Sequence, residues 1–199
     1  MSGTENLGRR LRLGMVGGGR DAFIGGVHRI AARIDDRYEL VAGALSSSPD
    51  KAKASGADLL LAADRAYGSY EEMAKAEAAR DDGIDAVAIV TPNHAHFGPA
   101  KAFLDAGIHV ICDKPLTTTL EDAKALQAAV ESSGLVFGLT HNYTGYPLVR
   151  HAREMVAAGE LGRIRVIQAE YPQDWLSTRL EDDGVKQAEW RTDPSRSGP

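Results

Sequence analysis

The sequence predicts an α/β fold: an open, doubly wound parallel sheet with helices on both faces. Two observations predict it. From residue 11 to residue 159, apolar runs of strand length alternate with segments of helical spacing, joined by short connections. The residues able to do chemistry crowd the segments that leave the carboxyl ends of those strands, where open parallel sheets bind their ligands.

Residues 1–10 are polar and read as a disordered leader. Residues 11–16 form the first strand, which breaks into Gly17-Gly18-Gly19. Residues 25–34 have helical apolar spacing through Val27, Ile30, Ala31 and Ile34. Residues 38–45 are apolar enough for a strand buried on both faces. A turn at Ser46-Ser47-Ser48 leads to a short helix over 49–55, with Pro49 suited to its first position. A short strand is expected at 65–67. Ser69 then caps a helix that runs to about Ala79, with Glu72 completing a capping box. Residues 84–90 are another buried strand, stopped by Thr91-Pro92-Asn93. Residues 95–106 form a helix closed by Gly107. A strand at 108–112 stops at Asp113-Lys114-Pro115; Thr119 with Asp122 caps the next helix, which runs to Ser132. A strand at 136–140 and a helix from Pro147 to near Gly159 complete the alternation, with right-handed crossovers. Residues 11–162 are therefore read as one domain. Beyond it, 163–171 alternates Ile164 and Val166 with polar residues, as a one-sided strand does, and a polar, aromatic tail follows. Residues 163–199 are too few for a core of their own and read as the start of an incomplete second domain.

The totals exclude several classes. The chain has 199 residues, 43% hydrophobic and 26% charged, which supports a packed core. Its net charge of -5, with no basic stripe, argues against a nucleic-acid partner. The single cysteine, Cys112, excludes an internal disulfide and a thiolate metal site, so no metal is expected; inside a strand it reads as a small buried hydrophobe. The apolar runs are too short to cross a membrane and no signal-peptide pattern is seen, which makes the cytoplasm the default compartment.

Gly17, Gly19 and Ala22 fit the dinucleotide pattern G-x-G-x-x-[G/A]. Glycines let a diphosphate approach the main chain, and N–H groups around Ala22, Phe23 and Ile24 at the next helix start face it with the positive end of the helix dipole. Glycine clusters also end strands for structural reasons alone. At the second strand's end no acid stands ready for the ribose 2′-hydroxyl of NAD; Ser46, Ser47 and Ser48 are there instead, with Lys51 beyond. Hydroxyls and a cation would accept a 2′-phosphate, so the reading is NAD or NADP, leaning to NADP. Thr91, Pro92, Asn93 and His96 leave the middle strand; Asn93 could instead cap the following helix, with His94 exposed. Lys114 follows a buried strand between Asp113 and Pro115. A lysine in a partly dry cleft can exchange a proton with a substrate hydroxyl; a solvated loop lysine is the plain alternative. Tyr143, after the last strand, and the pair Trp190-Arg191 stand as substrate-side candidates, the pair as an anion or sugar clamp or only a stacked surface pair.

Taken together, these residues resemble the glucose-fructose oxidoreductase / inositol dehydrogenase / MocA-like (Gfo/Idh/MocA) family. The resemblance rests on Gly17-Gly18-Gly19, on Thr91-Pro92-Asn93 with His96, and on Asp113-Lys114-Pro115, which looks like the family's Glu-Lys-Pro with Asp for Glu. Trp190-Arg191 followed by Asp193-Pro194 and Ser197-Gly198 looks like its substrate-side motif. The resemblance implies a Rossmann NAD(P)-binding domain followed by an α/β domain, here as its truncated start. It implies reversible oxidation of a secondary hydroxyl on a sugar or cyclitol. Lys114 would hydrogen-bond the reacting hydroxyl, Pro115 would shape its loop, and Asn93 and His96 would border the cofactor. The family's second domain continues into an Asp and a His that this sequence lacks. A non-catalytic NAD(P)-binding module is therefore the rival reading, and a homo-oligomer is expected only of a full-length form.

Overall fold

A computed structural model describes residues 8–175 and 177–198. Five strands form one sheet in the order β2-β1-β3-β4-β5, every neighbouring pair parallel. They are β1 (Leu11–Gly17), β2 (Tyr38–Ala44), β3 (Ala86–Val90), β4 (His109–Cys112) and β5 (Phe137–Leu139). The helices between them are α1 (Phe23–Ile34), α2 (Pro49–Asp58), α3 (Tyr70–Ala78), α4 (Phe97–Asp105) and α5 (Leu120–Ser133). After β5 come α6 (Pro147–Ala157), α7 (Lys186–Arg191) and α8 (Pro194–Ser197). The central strand β3 is buried along its whole length, as the run Ala-Val-Ala-Ile-Val requires. Val87, Ile89, Val110 and Cys112 face α3, α4 and α5 through Met73, Phe103, Leu104 and Leu126. Leu13, Met15, Ala88 and Val90 face the other way, against Ile24 and Ala32 of α1. No helix among the described residues is long and apolar enough to cross a membrane.

Both expected N-caps form, although the Glu72 carboxylate takes the Gly68 N–H at 3.1 Å rather than that of Ser69 and so does not close the box. The Ser69 hydroxyl accepts from the Glu72 N–H at 3.2 Å and Thr119 from the Asp122 N–H at 3.1 Å. Cys112 is fully buried, and burial, with Asp113 next to it, pushes its thiol up to about 12.

Four expectations need correction. The strand at 65–67 is a 3-10 turn, Ala63–Arg65, followed by a single parallel bridge from Ala66 to Gly43. A buried network fixes that geometry: Glu77 accepts from the Arg65 guanidinium, the Tyr67 hydroxyl at 2.8 Å and the Ile84 N–H at 3.1 Å. The helix at 95–106 begins later, because a 3-10 turn, Asn93–Ala95, precedes α4. The strand at 163–171 is not formed; the segment is exposed and has no strand beside it among the described residues, and a lone strand has no ladder to close. The leader ends sooner than Arg10, since Arg9 pairs with Asp85 at 2.7 Å and Arg10 with Asp36 at 2.7 Å; residues 1–7 lie outside the described chain.

Helix α1 forms over the expected residues, and its orientation is unusual. Its apolar stripe, Val27, Ile30 and Ile34, points to solvent, with Ile34 75% exposed. The face turned to the sheet carries Ile24, Gly25, His28 and Ala32. The reason is a close approach at Gly25. A Cβ there would stand 2.4 Å from the Gly18 Cα, so only a hydrogen can point inward at that position. Once Gly25 faces in, helical spacing turns His28 and Ala32 in with it and Val27 and Ile30 out.

Candidate dinucleotide site

The carboxyl edge of the sheet gathers the functional candidates because the strands are in register. Gly17 pairs with Val90, and Ile89 with Cys112, so the exits of β1, β3 and β4 lie on one rim. Lys114 thus stands on the same rim as the triple glycine, two strands away.

At β1 the chain bends through two left-handed glycines, Gly17 at φ 78° and Gly18 at φ 73°. A Cβ at Gly17 would meet the Val90 carbonyl oxygen at 2.9 Å; one at Gly19 would meet the Leu45 oxygen and Ser55 Oγ at 2.6 Å. The bend is therefore bare main chain packed so closely on its neighbours that no side chain fits between them. The Gly19 N–H donates to the Leu45 carbonyl at 3.1 Å, which ties the bend to the β2 exit. Helix α1 begins at Phe23 with Ala22 as N-cap and no side-chain cap, leaving its positive end toward the bend. Ile24 packs inward, whereas Phe23 is exposed.

Several neighbours of the bend gave no signal in sequence. Arg29 of α1 donates to the Gly18 carbonyl at 2.7 Å, and burial lowers its pKa. The Ser55 hydroxyl accepts from the Arg20 N–H at 3.1 Å. The Arg20 guanidinium is paired with Asp58 of α2 at 2.8 Å, which raises the Arg20 pKa and lowers that of Asp58. A cavity of about 450 Å³ lies between the bend, the start of α1 and α2, lined by Gly18, Gly19, Ala22, Phe23, Arg20 and Asp58 among others. At the β2 exit Ser47 is exposed and the half-buried Ser46 hydroxyl accepts from the Ser48 N–H at 3.2 Å.

At the β3 exit, Thr91 donates its hydroxyl to the Ala95 carbonyl at 2.8 Å, and Pro92 is exposed. Asn93 does not cap α4: its amide donates to the Ser197 carbonyl at 2.8 Å, which brings α8 onto this rim. His96 is fully buried. One ring nitrogen lies 2.6 Å from the Pro115 carbonyl and the other 3.0 Å from that of Thr91. Its ring therefore joins the β3 and β4 exits, and any effect on a ligand passes through those two loops.

At the β4 exit, the Asp113 carboxylate accepts from the Thr140 hydroxyl at 2.7 Å and faces His28 Nε2 at 4.0 Å. Burial pushes Asp113 up, but His28, Thr140 and the Lys114 N–H outweigh it and hold the carboxyl down to about 2. The Lys114–Pro115 peptide is cis, and Lys114 is exposed rather than walled in by the described residues. Beyond β5, Tyr143 is half exposed and shares a 2.8 Å hydroxyl contact with Tyr171, its ring tilted against Tyr146. Arg191 lies over both Trp175 and Trp190, at 5.2 Å and 4.8 Å from the ring centroids. Burial lowers the Arg191 pKa and the charge of Asp113 opposes that.

Comparison with known proteins identifies the family. Residues 11–141 match the model of an oxidoreductase family with an NAD-binding Rossmann fold, and residues 149–199 match the GFO/IDH/MocA C-terminal domain. An oxidoreductase from Sinorhizobium meliloti has 64% identity and a TM-score of 0.82, over 85% of this chain and 47% of that one. An inositol dehydrogenase homolog from Azotobacter vinelandii, solved with NAD+, has 40% identity and a TM-score of 0.92, over 100% of this chain and 51% of that one. A levoglucosan dehydrogenase from Pseudarthrobacter phenanthrenivorans is 33% identical over 96% of this chain and 47% of its own length. The chain spans about half the length of the curated relatives it matches. With a bare-glycine bend, a Rossmann sheet and matches over nearly its whole length, the chain belongs to the Gfo/Idh/MocA oxidoreductase family.

Proposed function

We propose that this chain carries the cofactor half of an NAD(P)-dependent dehydrogenase that moves hydride between a secondary hydroxyl of a sugar or cyclitol and the nicotinamide. One observation carries the reading: Asp113-Lys114-Pro115 and the triple-glycine bend share one rim through strands in register. The names of the levoglucosan dehydrogenase and the inositol dehydrogenase homolog support the substrate class.

The bend fits a dinucleotide, because its glycines let it pack against Val90 and Leu45 and leave Gly18 and Gly19 as bare main chain at the cavity beside it. When bound, the nicotinamide supplies the hydride acceptor. Gly17 to Gly19 and the main chain of Ala22, Phe23 and Ile24 hold the diphosphate. Ser46 and Ser47, with Lys51, give hydroxyls and a cation for the ribose end, which favours NADP. Thr91, Pro92 and Asn93 border the cofactor, and His96 fixes their loop to Pro115. The exposed Lys114 ammonium would hydrogen-bond the reacting hydroxyl oxygen and stabilise the negative charge that oxygen gains as its proton passes to solvent and hydride leaves the same carbon. Tyr143, Trp190 and Arg191 flank the substrate position. Residues 163–199 belong to a second domain in this reading.

Calorimetric titration of the chain with NADP, NAD and S-adenosylmethionine tests it. Binding of NADP or NAD and not S-adenosylmethionine is expected; tighter NAD than NADP refutes the preference read from the serines. Where substrate-dependent NAD(P)H formation is measurable, Lys114→Ala lowers kcat at least a hundredfold if the lysine serves the proton. An unchanged kcat removes that role. Nucleotide binding without any turnover favours a non-catalytic module, a reading that the exposure of Lys114 keeps in play.

A further inference from the structure

The mechanism above leaves one group unused. Asp113 is a carboxylate at the centre of the candidate site, one residue before Lys114, and elements distant in sequence organise it. Thr140, just past β5, donates its hydroxyl at 2.7 Å, and His28 of α1 stands 4.0 Å away, both histidine and aspartate side chains less than a fifth exposed. The Asp113 N–H donates to the Ile89 carbonyl at 2.9 Å, so the backbone at this point is locked to β3. Arg191 of α7 senses the same charge. The carboxylate takes the Lys114 N–H of its own loop and, beyond that loop, is held by Thr140 after β5 and faced by His28 of α1 across the rim.

His28 is turned to this corner by the constraint that shapes the glycine bend. Gly25 must face Gly18, and three residues on along the helix His28 faces Asp113. One helix thus sets both the diphosphate cradle and the surroundings of the carboxylate.

We infer that Asp113 sets the preference of the site for the oxidised over the reduced nicotinamide, with Thr140 and His28 as positioning residues that keep the carboxylate at the ring's end of the rim. The inference rests on the dinucleotide reading proposed above. The physics is direct. The oxidised ring carries a positive charge that the reduced ring lacks, and a fixed, partly buried anion within several ångströms stabilises only the charged form. His28 and Arg191 moderate that field from α1 and α7. Lys114, which is exposed, opposes it from the next residue. A site of this kind binds the form needed for alcohol oxidation more tightly and releases the reduced form.

The test is the ratio of dissociation constants for NAD+ and NADH, by calorimetry and by NADH fluorescence, or for NADP+ and NADPH if those bind tighter. Asp113→Asn keeps size and hydrogen bonding but removes the charge, and is expected to raise the oxidised-to-reduced ratio about tenfold. Asp113→Glu restores the charge and keeps the ratio within about threefold of the parent. His28→Gln disturbs the same corner and leaves the anion, so the ratio stays level or falls. An Asp113→Asn ratio within twofold of the parent overturns the inference while leaving the dinucleotide reading intact. A tenfold rise in His28→Gln also overturns it, because a packing defect then explains the change. If the parent chain binds neither nucleotide form, the dinucleotide reading and this inference fall together.

Discussion

Gly25 and Gly26 are adjacent in the first turns of α1, and the structure assigns opposite signs to their replacement by alanine. At Gly26 a Cβ would meet only the tip of Arg29, at 3.9 Å. Ordinary helix propensity then decides, and Gly26→Ala should stabilise the chain by up to about 1 kcal/mol. At Gly25 the new Cβ would lie 2.4 Å from the Gly18 Cα and 2.5 Å from the Gly18 oxygen, both main chain. Ordinary contact begins near 3.4 Å, so helix and bend must separate by about 1 Å. Forcing such a gap typically costs about 1–3 kcal/mol, against the same propensity gain of about 1 kcal/mol. The net loss, up to about 2 kcal/mol, corresponds to a melting temperature lower by up to about 8 °C, at about 2–4 °C per kcal/mol for a chain of this size. The displaced main chain is the proposed diphosphate site, so dinucleotide affinity should fall at least tenfold in Gly25→Ala and hold in Gly26→Ala. Thermal melts and calorimetric titration of both variants check this. A Gly25→Ala protein that melts no lower than Gly26→Ala and binds as the parent does would refute the argument that Gly25 orients α1.

Two further outcomes follow from the same rim. His96→Ala removes a fully buried ring that joins the Thr91 and Pro115 carbonyls, and should cost about 2–4 kcal/mol in urea denaturation; a loss below about 0.5 kcal/mol would mean the two loops hold without it. Asp113 is depressed in the folded chain to about 2, below its ordinary value near 3.9, so its contribution is complete above that ordinary value and fades as pH falls toward 2. At pH 7 Asp113→Asn should therefore be less stable than the parent by about 2 kcal/mol, and the gap should close between about pH 4 and pH 2. A gap that does not change over that window would remove the stabilising role of Thr140 and His28.

The strands and the glycine bend were legible because their signals are local. A parallel strand buried on both faces must be apolar throughout, so the runs at β1, β2 and β3 mark themselves. The caps at Ser69 and Thr119 were legible for the same reason: cap and partner lie three residues apart. The partners that complete the site are far apart in sequence. Asn93 reaches Ser197, Thr140 reaches Asp113 and Arg20 reaches Asp58, and no spacing rule links such pairs before the sheet order is known. The segment at 163–171 shows the converse. Its alternation fits a strand, but alternation states only which side chains could share a face, and a ladder also needs a neighbour.

Helix α1 is where the sequence pattern misleads, and the reason bears on function. Apolar spacing usually locates the buried face, since burial of apolar area is the largest stabilising term. Here a steric requirement outranks it: the bend and the helix meet backbone to backbone at Gly18 and Gly25, and no rotation of α1 that buries Val27, Ile30 and Ile34 against the sheet preserves that contact. The helix therefore gives up burial of its apolar stripe among the described residues and presents glycine, histidine and alanine to the sheet. A helix selected only for packing would place the larger apolar side chains inward. That it does not argues that the geometry of the bend, and the approach of His28 to Asp113 that comes with it, governs how this end of the sheet is built.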